Sequence, residues 1–138
     1  GSKVECIGKE TTATVHSKSI SKGGGTAIYR GVVHIGPKAQ GAKVAISCES
    51  LMLDNASRSD TIPDIIIEND NVDIGHEAKI GRIPDENIYY LMTRGLSEED
   101  AKAMLVRGFA EPISKELPLE YAVEMNRLID LEFEGSIG

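Results

Sequence analysis

Cys48, His76 and Glu77 are the residues of this 138-residue chain whose types and spacing are best suited to metal or sulfur chemistry. A thiolate is a nucleophile and a soft metal ligand, an imidazole binds iron, and a carboxylate supplies a harder oxygen ligand. Cys48 precedes His76 by 28 positions, and both lie in stretches with the composition of β-strands. The residues therefore predict either an iron or sulfur site or, because Cys is often buried as a small hydrophobe, a packed sheet.

Strand alternation bears on this choice, because successive side chains point to opposite faces of a strand. Cys48 shares a face with the apolar Ile46, and His76 shares a face with Ile74, whereas Glu77 lies on the opposite face. This alignment favours packing. One cysteine is also too few for a permanent iron–sulfur cluster, which usually has four. A site built on Cys48 would bind a cluster weakly or share it across a subunit interface.

The other residues with reactive side chains give weaker indications of a functional site. A Cys–His protease needs an activated nucleophile, and neither a helix start nor a turn that would expose the thiol surrounds Cys48. His16 and His34 stand alone in strand patterns and are interpreted as ordinary surface or core residues. Cys6 is interpreted as structural. Gly23–Gly25 is interpreted as a turn, because no helix and no Lys-Ser/Thr pair follows it.

Composition restricts the class of protein. A net charge of −7 and an aromatic content of 4% argue against nucleic-acid binding, which depends on cations and stacking rings. Two cysteines cannot form a disulfide framework and are interpreted as free thiols of a cytoplasmic protein. No apolar run approaches the roughly 18 residues of a membrane-spanning helix, so no membrane association is predicted.

The chain changes character near Ile83-Pro84. Residues 1–83 carry 10 acidic and 10 basic groups, whereas residues 84–138 carry 12 acidic and 5 basic groups. Val, Ile, Thr, Ser and Gly dominate the first part, and Leu, Met, Glu and Ala dominate the second. We therefore predict a β domain over residues 1–83 and an acidic helical subdomain over residues 84–138.

The first part contains short β-type runs separated by turn residues, with no helical pattern between them. A sandwich, a barrel or a β-helix would each fit this spacing. The irregular repeat and the corners rich in Gly, Asn and Asp favour a β-helix of imperfect coils. The predicted strands are Ala13–Ile20, Thr26–Ile35, Lys43–Leu53, Ile62–Glu68 and Val72–Ile80.

The second part has helical signals. A helix is predicted over Asn87–Arg94, another after the capping Ser97, and a last one over Leu119–Leu131. Pro112 and Pro118 are predicted to interrupt the helical pattern. The side chains expected on the apolar faces are Ala101, Met104, Leu105, Gly108, Phe109, Tyr121, Ala122, Met125, Leu128 and Ile129.

Several segments, taken in order and spacing, resemble the C-terminal part of the SufB/SufD iron–sulfur assembly scaffolds. No single segment is decisive, but together they cover essentially the whole chain. They are Ile20–Gly23, Tyr29–Val33, Gly36–Ala39, Ser47–Leu53, His76–Ala78, Tyr89–Leu91, Arg94–Ala101, Gly108–Phe109, Leu117–Glu120 and Leu131–Gly138.

The resemblance implies a mainly β fold, a right-handed parallel β-helix followed by a small C-terminal α-helical subdomain. It implies that Cys48 accepts sulfur and that Cys48, Glu77 and His76 hold a transient iron–sulfur cluster, partly across an interface. Glu77, where SufD typically has Gly, favours a SufB-like role. Gly75 replaces an acid usual in SufB, so no ligand role is expected there.

The resemblance also implies partners. Residues 84–138 are expected to dock a SufC-type ABC ATPase, and the β-helix to pair with a SufB- or SufD-type scaffold or with a second copy. The chain itself would be a non-catalytic scaffold, because ATP hydrolysis belongs to the ATPase. The alternative is a β-helix interaction module with no metal or sulfur chemistry of its own.

Overall fold

The computed structural model describes residues 1–134, in which six β-strands are followed by three α-helices. The last four residues of the C-terminal SufB-like segment, 135–138, lie outside this range. The chain divides into two compact units, Gly1–Arg82 and a second that begins at Ile83. The strands are β1 Ser2–Cys6, β2 Thr12–Ser21, β3 Thr26–Ile35, β4 Ala42–Met52, β5 Arg58–Ile67 and β6 Val72–Arg82. The helices are α1 Asp85–Thr93, α2 Glu98–Ser114 and α3 Leu119–Glu134.

The strands form two parallel sheets, one of order β1-β3-β5 and one of order β2-β4-β6. Consecutive strands thus alternate between the two sheets, and each coil contributes one strand to each. The register advances by one coil at a time, so that Lys43 pairs with Thr12 on one side and with Asp73 on the other. The prediction of a parallel β-helix followed by a helical subdomain is confirmed.

The core of the β unit lies between the two sheets. Along β4, side chains alternate between the interior and the outer surface, so that Val44, Ile46 and Cys48 are buried while Lys43 and Ala45 are exposed. Burial of these apolar groups supplies the main driving force for stacking the coils. The buried cluster consists of Cys6, Val33, Ile35, Ala39, Ala42, Val44, Ile46 and Cys48.

One corner of the β-helix is held by the carboxylate of Asp54. It accepts hydrogen bonds from the backbone N–H groups of Gly23 at 2.6 Å, Ala56 at 2.9 Å and Ser57 at 2.7 Å. The Ser57 hydroxyl donates a further bond of 2.8 Å. These bonds, that of the Ser57 hydroxyl above all, lower the pKa of Asp54 to about 2. Because Gly23 belongs to the preceding coil, Asp54 ties two successive corners together.

The five predicted strands correspond to β2–β6, but β1, Ser2–Cys6, was not predicted, and the start of β5 also differs. This strand begins at Arg58, four residues before the predicted Ile62. The first residues of β5 are polar, but Ser59 and Thr61 face a polar part of the interior. Pro63 is tolerated within β5 because this strand has a neighbour on one side only.

The helical unit differs from the sequence-based expectation in two respects. The expected interruption at Pro112 is wrong, because α2 continues through it to Ser114. Pro112 lies close to the end of the helix, where one lost backbone bond costs little. No helix among the described residues is long and apolar enough to cross a membrane.

Burial on the helices also departs from the prediction. Met104, Tyr121 and Leu128 were expected on apolar faces and are exposed by 44%, 67% and 54%. The buried face of α2 includes Ala101, as predicted, but otherwise centres on Ala103 and Val106, which were not predicted. Ser97 caps α2 as predicted, because its hydroxyl accepts a 3.1 Å bond from the N–H of Asp100.

Candidate functional site

Cys48 lies near the middle of β4 and points into the β-helix. Its side chain is 3% exposed and belongs to the buried cluster. In the register of the sheet, its neighbours are Ser17 on β2 and Ala78 on β6. Along β4 itself, Ile46 and Ser50 flank it on the same face. The thiol therefore lies between an apolar and a hydroxyl-bearing part of the interior.

His76 lies on β6, next to β4, and is in register with Ile46 rather than with Cys48. It is thus on the same face as Cys48 but displaced by two residues along the strand. From the strand rise and spacing, their Cα atoms are about 8 Å apart. His76 is nevertheless exposed, because β6 is the last strand of its sheet.

Glu77 lies on the outer surface of the same sheet. It is in register with Ser47, and its carboxylate forms an ion pair of 3.1 Å with Lys79. The hydrogen bond and charge of Glu77 raise the pKa of Lys79. The structure thus brings Cys48 and His76 to one face and Glu77 to the other. Within residues 1–134, no three His, Cys, Asp or Glu side chains come together to hold a metal ion, so the predicted three ligands do not form a site within one chain.

His16 was interpreted from the sequence as an ordinary histidine, but it lies in the same outward row as Ser47 and Glu77. A pocket of about 290 Å³ opens on this surface. It is lined by Thr14, His16, Ala45, Ile46, Ser47, Gly75, His76 and Glu77. The signal in the sequence is the coil repeat, since His16, Ser47 and Glu77 are spaced by 31 and 30 positions.

A cluster of hydroxyl groups in the interior was also missed. Ser59 donates a 2.7 Å hydrogen bond to Ser50, and both lie close to Ser19, at 3.2 Å and 2.8 Å. Within the described part of the chain, two further buried hydroxyls, of Ser21 and Thr61, have no hydrogen-bond partner. The available signal was serine at alternate positions of the second half of β2, Ser17, Ser19 and Ser21, since such a run places all its hydroxyls on one face.

The second unit presents exposed apolar side chains among charged ones. Among the described residues of this unit, six are more than half exposed: Tyr89, Tyr90, Leu119, Tyr121, Val123 and Leu128. Several acids of this unit are engaged in ion pairs, among them Glu98 with Lys102 at 2.5 Å and Asp130 with Arg107. A pocket of about 350 Å³ is lined by residues of α2 and α3, including Arg107, Glu111 and Asn126. This surface is suited to binding another protein.

Comparison with known proteins gives one consistent family. Residues 1–109 match the model of the SufBD core domain of the SUF system for FeS cluster assembly. The chain is 56% identical over all 138 residues to an iron–sulfur cluster assembly SufBD family protein of Staphylococcus haemolyticus. It is equally similar to the iron–sulfur cluster assembly protein SufB of Bacillus subtilis. In each case the chain spans 30% of the relative's length.

Proposed function

Because the chain belongs to the SufBD family of iron–sulfur cluster assembly proteins, we propose that it serves in a scaffold on which Cys48 accepts sulfur for a nascent cluster. The observation that supports the proposal is that Cys48 shares a sheet face with His76, which lies two residues away along the neighbouring, last strand of the sheet. A SufB-like role is supported by Glu77 and by the 56% identity to the SufB of Bacillus subtilis.

Sulfur acceptance requires the thiolate of Cys48. The thiolate attacks the terminal sulfur of a donor persulfide, the donor S–S bond breaks, and a new S–S bond forms on Cys48. The donor leaves as a thiolate and takes up the proton that Cys48 lost. No electrons are gained or lost overall, because one sulfane sulfur has changed place.

The cluster itself is the cargo of such a scaffold, and residues 1–134 of one chain bring no three metal-ligating side chains together to retain it. We propose that Cys48, His76 and Glu77 supply part of the ligand set and that a SufB- or SufD-type partner, or a second copy, supplies the rest. The end of the β-helix supports this interface. Inward-facing Ile67 and Ile80 are exposed there by 44% and 48%, and β5 and β6 each have a free edge.

The helical unit is the proposed docking surface for a SufC-type ABC ATPase. Its exposed Tyr, Leu and Val side chains and its acidic residues support this role. The chain would act as a non-catalytic scaffold, since ATP hydrolysis would belong to the partner. The free thiols of Cys6 and Cys48 are consistent with the reducing cytoplasm, where we propose that it works.

A second candidate function is an interaction module without sulfur or metal chemistry. The burial of Cys48, at 3% exposure, favours it, because buried thiols are generally inert. In this case only the edge of the β-helix and the helical unit would have a function.

Labelling with a low-molecular-weight persulfide separates the two functions. The chain is treated anaerobically, and peptide mapping by mass spectrometry locates the added sulfur. Sulfur acceptance predicts that Cys48 gains it and that Cys48→Ser abolishes the gain, while Cys6→Ala, the matched control, retains it. If Cys48 stays unmodified while an ATPase still binds the chain, the interaction module is the better account.

A further inference from the structure

The interior of the β-helix is hydroxyl-bearing on one side of Cys48 and apolar on the other. On the apolar side, Ile46 and Val44 follow along β4 and are buried. On the polar side, Ser50 contacts Ser19 and Ser59 through hydrogen bonds. Burying a hydroxyl in an apolar core costs free energy unless it has a hydrogen-bond partner. The presence of several hydroxyls in this half of the interior therefore needs a physical explanation.

The position of Thr61 follows from the hydrogen bond between Ser59 and Ser50. Residues 53–57 separate β4 from β5, and the hydrogen bond joins Ser50, shortly before this corner, to Ser59, shortly after it. We infer from this contact that the two strands run in opposite directions across the interior. Two residues back from Ser50 is Cys48, and two residues forward from Ser59 is Thr61. Thr61 therefore lies across the interior at the level of Cys48.

The hydroxyl of Thr61 is buried and makes no hydrogen bond. It is thus a donor without an acceptor, facing the level of a buried thiol. Ser17, in register with Cys48 on the neighbouring strand, brings a second hydroxyl to the same level. An unpartnered buried hydroxyl destabilises a fold, and one at the level of the Cys48 thiol is available to donate a hydrogen bond to a group carried by that cysteine.

We propose that Thr61, with Ser17, binds the terminal sulfur of a Cys48 persulfide by donating hydrogen bonds to it. This inference rests on the proposed acceptance of sulfur by Cys48. The persulfide extends about 2.05 Å beyond the cysteine sulfur and is anionic at neutral pH. Hydrogen bonds to an ionised acceptor are the strong ones, and in an apolar interior they replace the water that the anion has lost. Thr61 and Ser17 are positioning residues, which hold the product of the sulfur transfer and leave the attack to Cys48.

The test compares the lifetime of the persulfide in matched variants of the chain. Persulfide is loaded from a low-molecular-weight persulfide, the excess is removed, and its loss from Cys48 to added cysteine is followed by peptide mapping. Thr61→Val keeps the shape of the side chain and removes the donor, so loss is expected to be about tenfold faster. Thr61→Ser restores the donor and is expected to restore the lifetime. Ser21→Ala removes a hydroxyl that is also without a partner but lies four residues along β2 from Ser17. This variant is expected to have no effect on the lifetime.

The outcomes distinguish this inference from the proposed function. If the parent loads Cys48 and Thr61→Val keeps the parental lifetime, the role of Thr61 is overturned while sulfur acceptance stands. Equal acceleration in Thr61→Val and Thr61→Ser would indicate a packing effect and also overturn it. If the parent loads no sulfur on Cys48, both proposals fail. Should Thr61→Val not fold by circular dichroism, Ser17→Ala removes the second donor and must itself shorten the lifetime.

Discussion

His76 is in register with Ile46, two residues short of Cys48, although both side chains belong to the inward face of their sheet. The two differ by 28 positions, whereas the register between β4 and β6 advances by 30, as from Ile46 to His76. Cys48 and His76 are therefore diagonal neighbours. At this diagonal separation, long side chains of neighbouring strands can still reach one another.

Access to Cys48 is predicted to pass over Ala78. Ala78 is in register with Cys48 and is exposed, and it offers only a methyl group as cover. Replacing Ala78 by Leu should slow the alkylation of Cys48 by iodoacetamide severalfold, because a larger side chain covers the thiol. The rate is measured by peptide mapping on the folded chain. Lys79→Leu, one position along on the outer face, serves as the control and should leave the rate unchanged; equal slowing in both variants would contradict this route.

The hydrogen bonds of Asp54 are predicted to make the stability of the fold depend on pH in the acidic range. Its pKa is about 2 in the folded chain against 3.8 without its hydrogen bonds. A group with a lowered pKa stabilises the fold above its unfolded pKa, and this contribution is lost as the pH falls from 3.8 toward 2. Asp54→Asn should lower the melting temperature at neutral pH and flatten its decline over that range. Circular dichroism at several pH values checks this, and parallel curves for both proteins would refute it.

Removing either of two interior hydroxyls, those of Thr61 and Ser59, should change the free energy of unfolding, but in opposite directions. Thr61→Val removes an unpartnered buried hydroxyl and should raise the free energy of unfolding by about 1 kcal/mol. Ser59→Ala removes the donor to Ser50 and should lower it by about 1 kcal/mol. Urea denaturation measures both. A loss of stability in Thr61→Val would mean that its hydroxyl has a partner in solution.

Self-association is predicted through the end of the β-helix at β5 and β6. Ile80 faces inward in register with the buried Ser50 and is 48% exposed. Ile80→Lys should shift the chain toward the monomer, because a charge would be buried at the interface. Sedimentation measures the mass over a range of concentrations. The control is Ile7→Lys, because Ile7 is 77% exposed in the corner between β1 and β2; it should leave the association intact, and an equal effect would exclude this end as the interface.

Docking of an ATPase to the helical unit is predicted to use its exposed apolar side chains. Tyr121 is 67% exposed, so Tyr121→Ser should weaken binding of a SufC-type ATPase at least about tenfold without unfolding α3. Titration calorimetry measures the affinity. Glu99→Lys tests the electrostatic contribution, since Glu98 is already paired with Lys102. Binding that is undiminished in both variants would place the docking surface elsewhere.

Local patterns in the sequence predict most of the strands and helices. Alternating apolar residues mark the strands, and Ser97 marks the start of α2 with a capping bond that the structure contains. These signals act between near neighbours in the chain, which is why they can be recognised without a fold. The side chain of Met104 was misassigned because the helical period allows several faces, and only the packing of α2 decides which face is buried.

The residue types of the candidate site were evident from the sequence. The side chains of Cys48, His76 and Glu77 can ligate iron, and the thiolate of Cys48 can also accept sulfur. Strand alternation also separated Glu77 from the other two. Only the tertiary structure decided the register between β4 and β6, which sets His76 diagonally from Cys48, and the facing of β4 and β5, which sets Thr61 at the level of the thiol. Register depends on contacts between residues about thirty positions apart, which corner lengths and core packing fix together; no local pattern contains them.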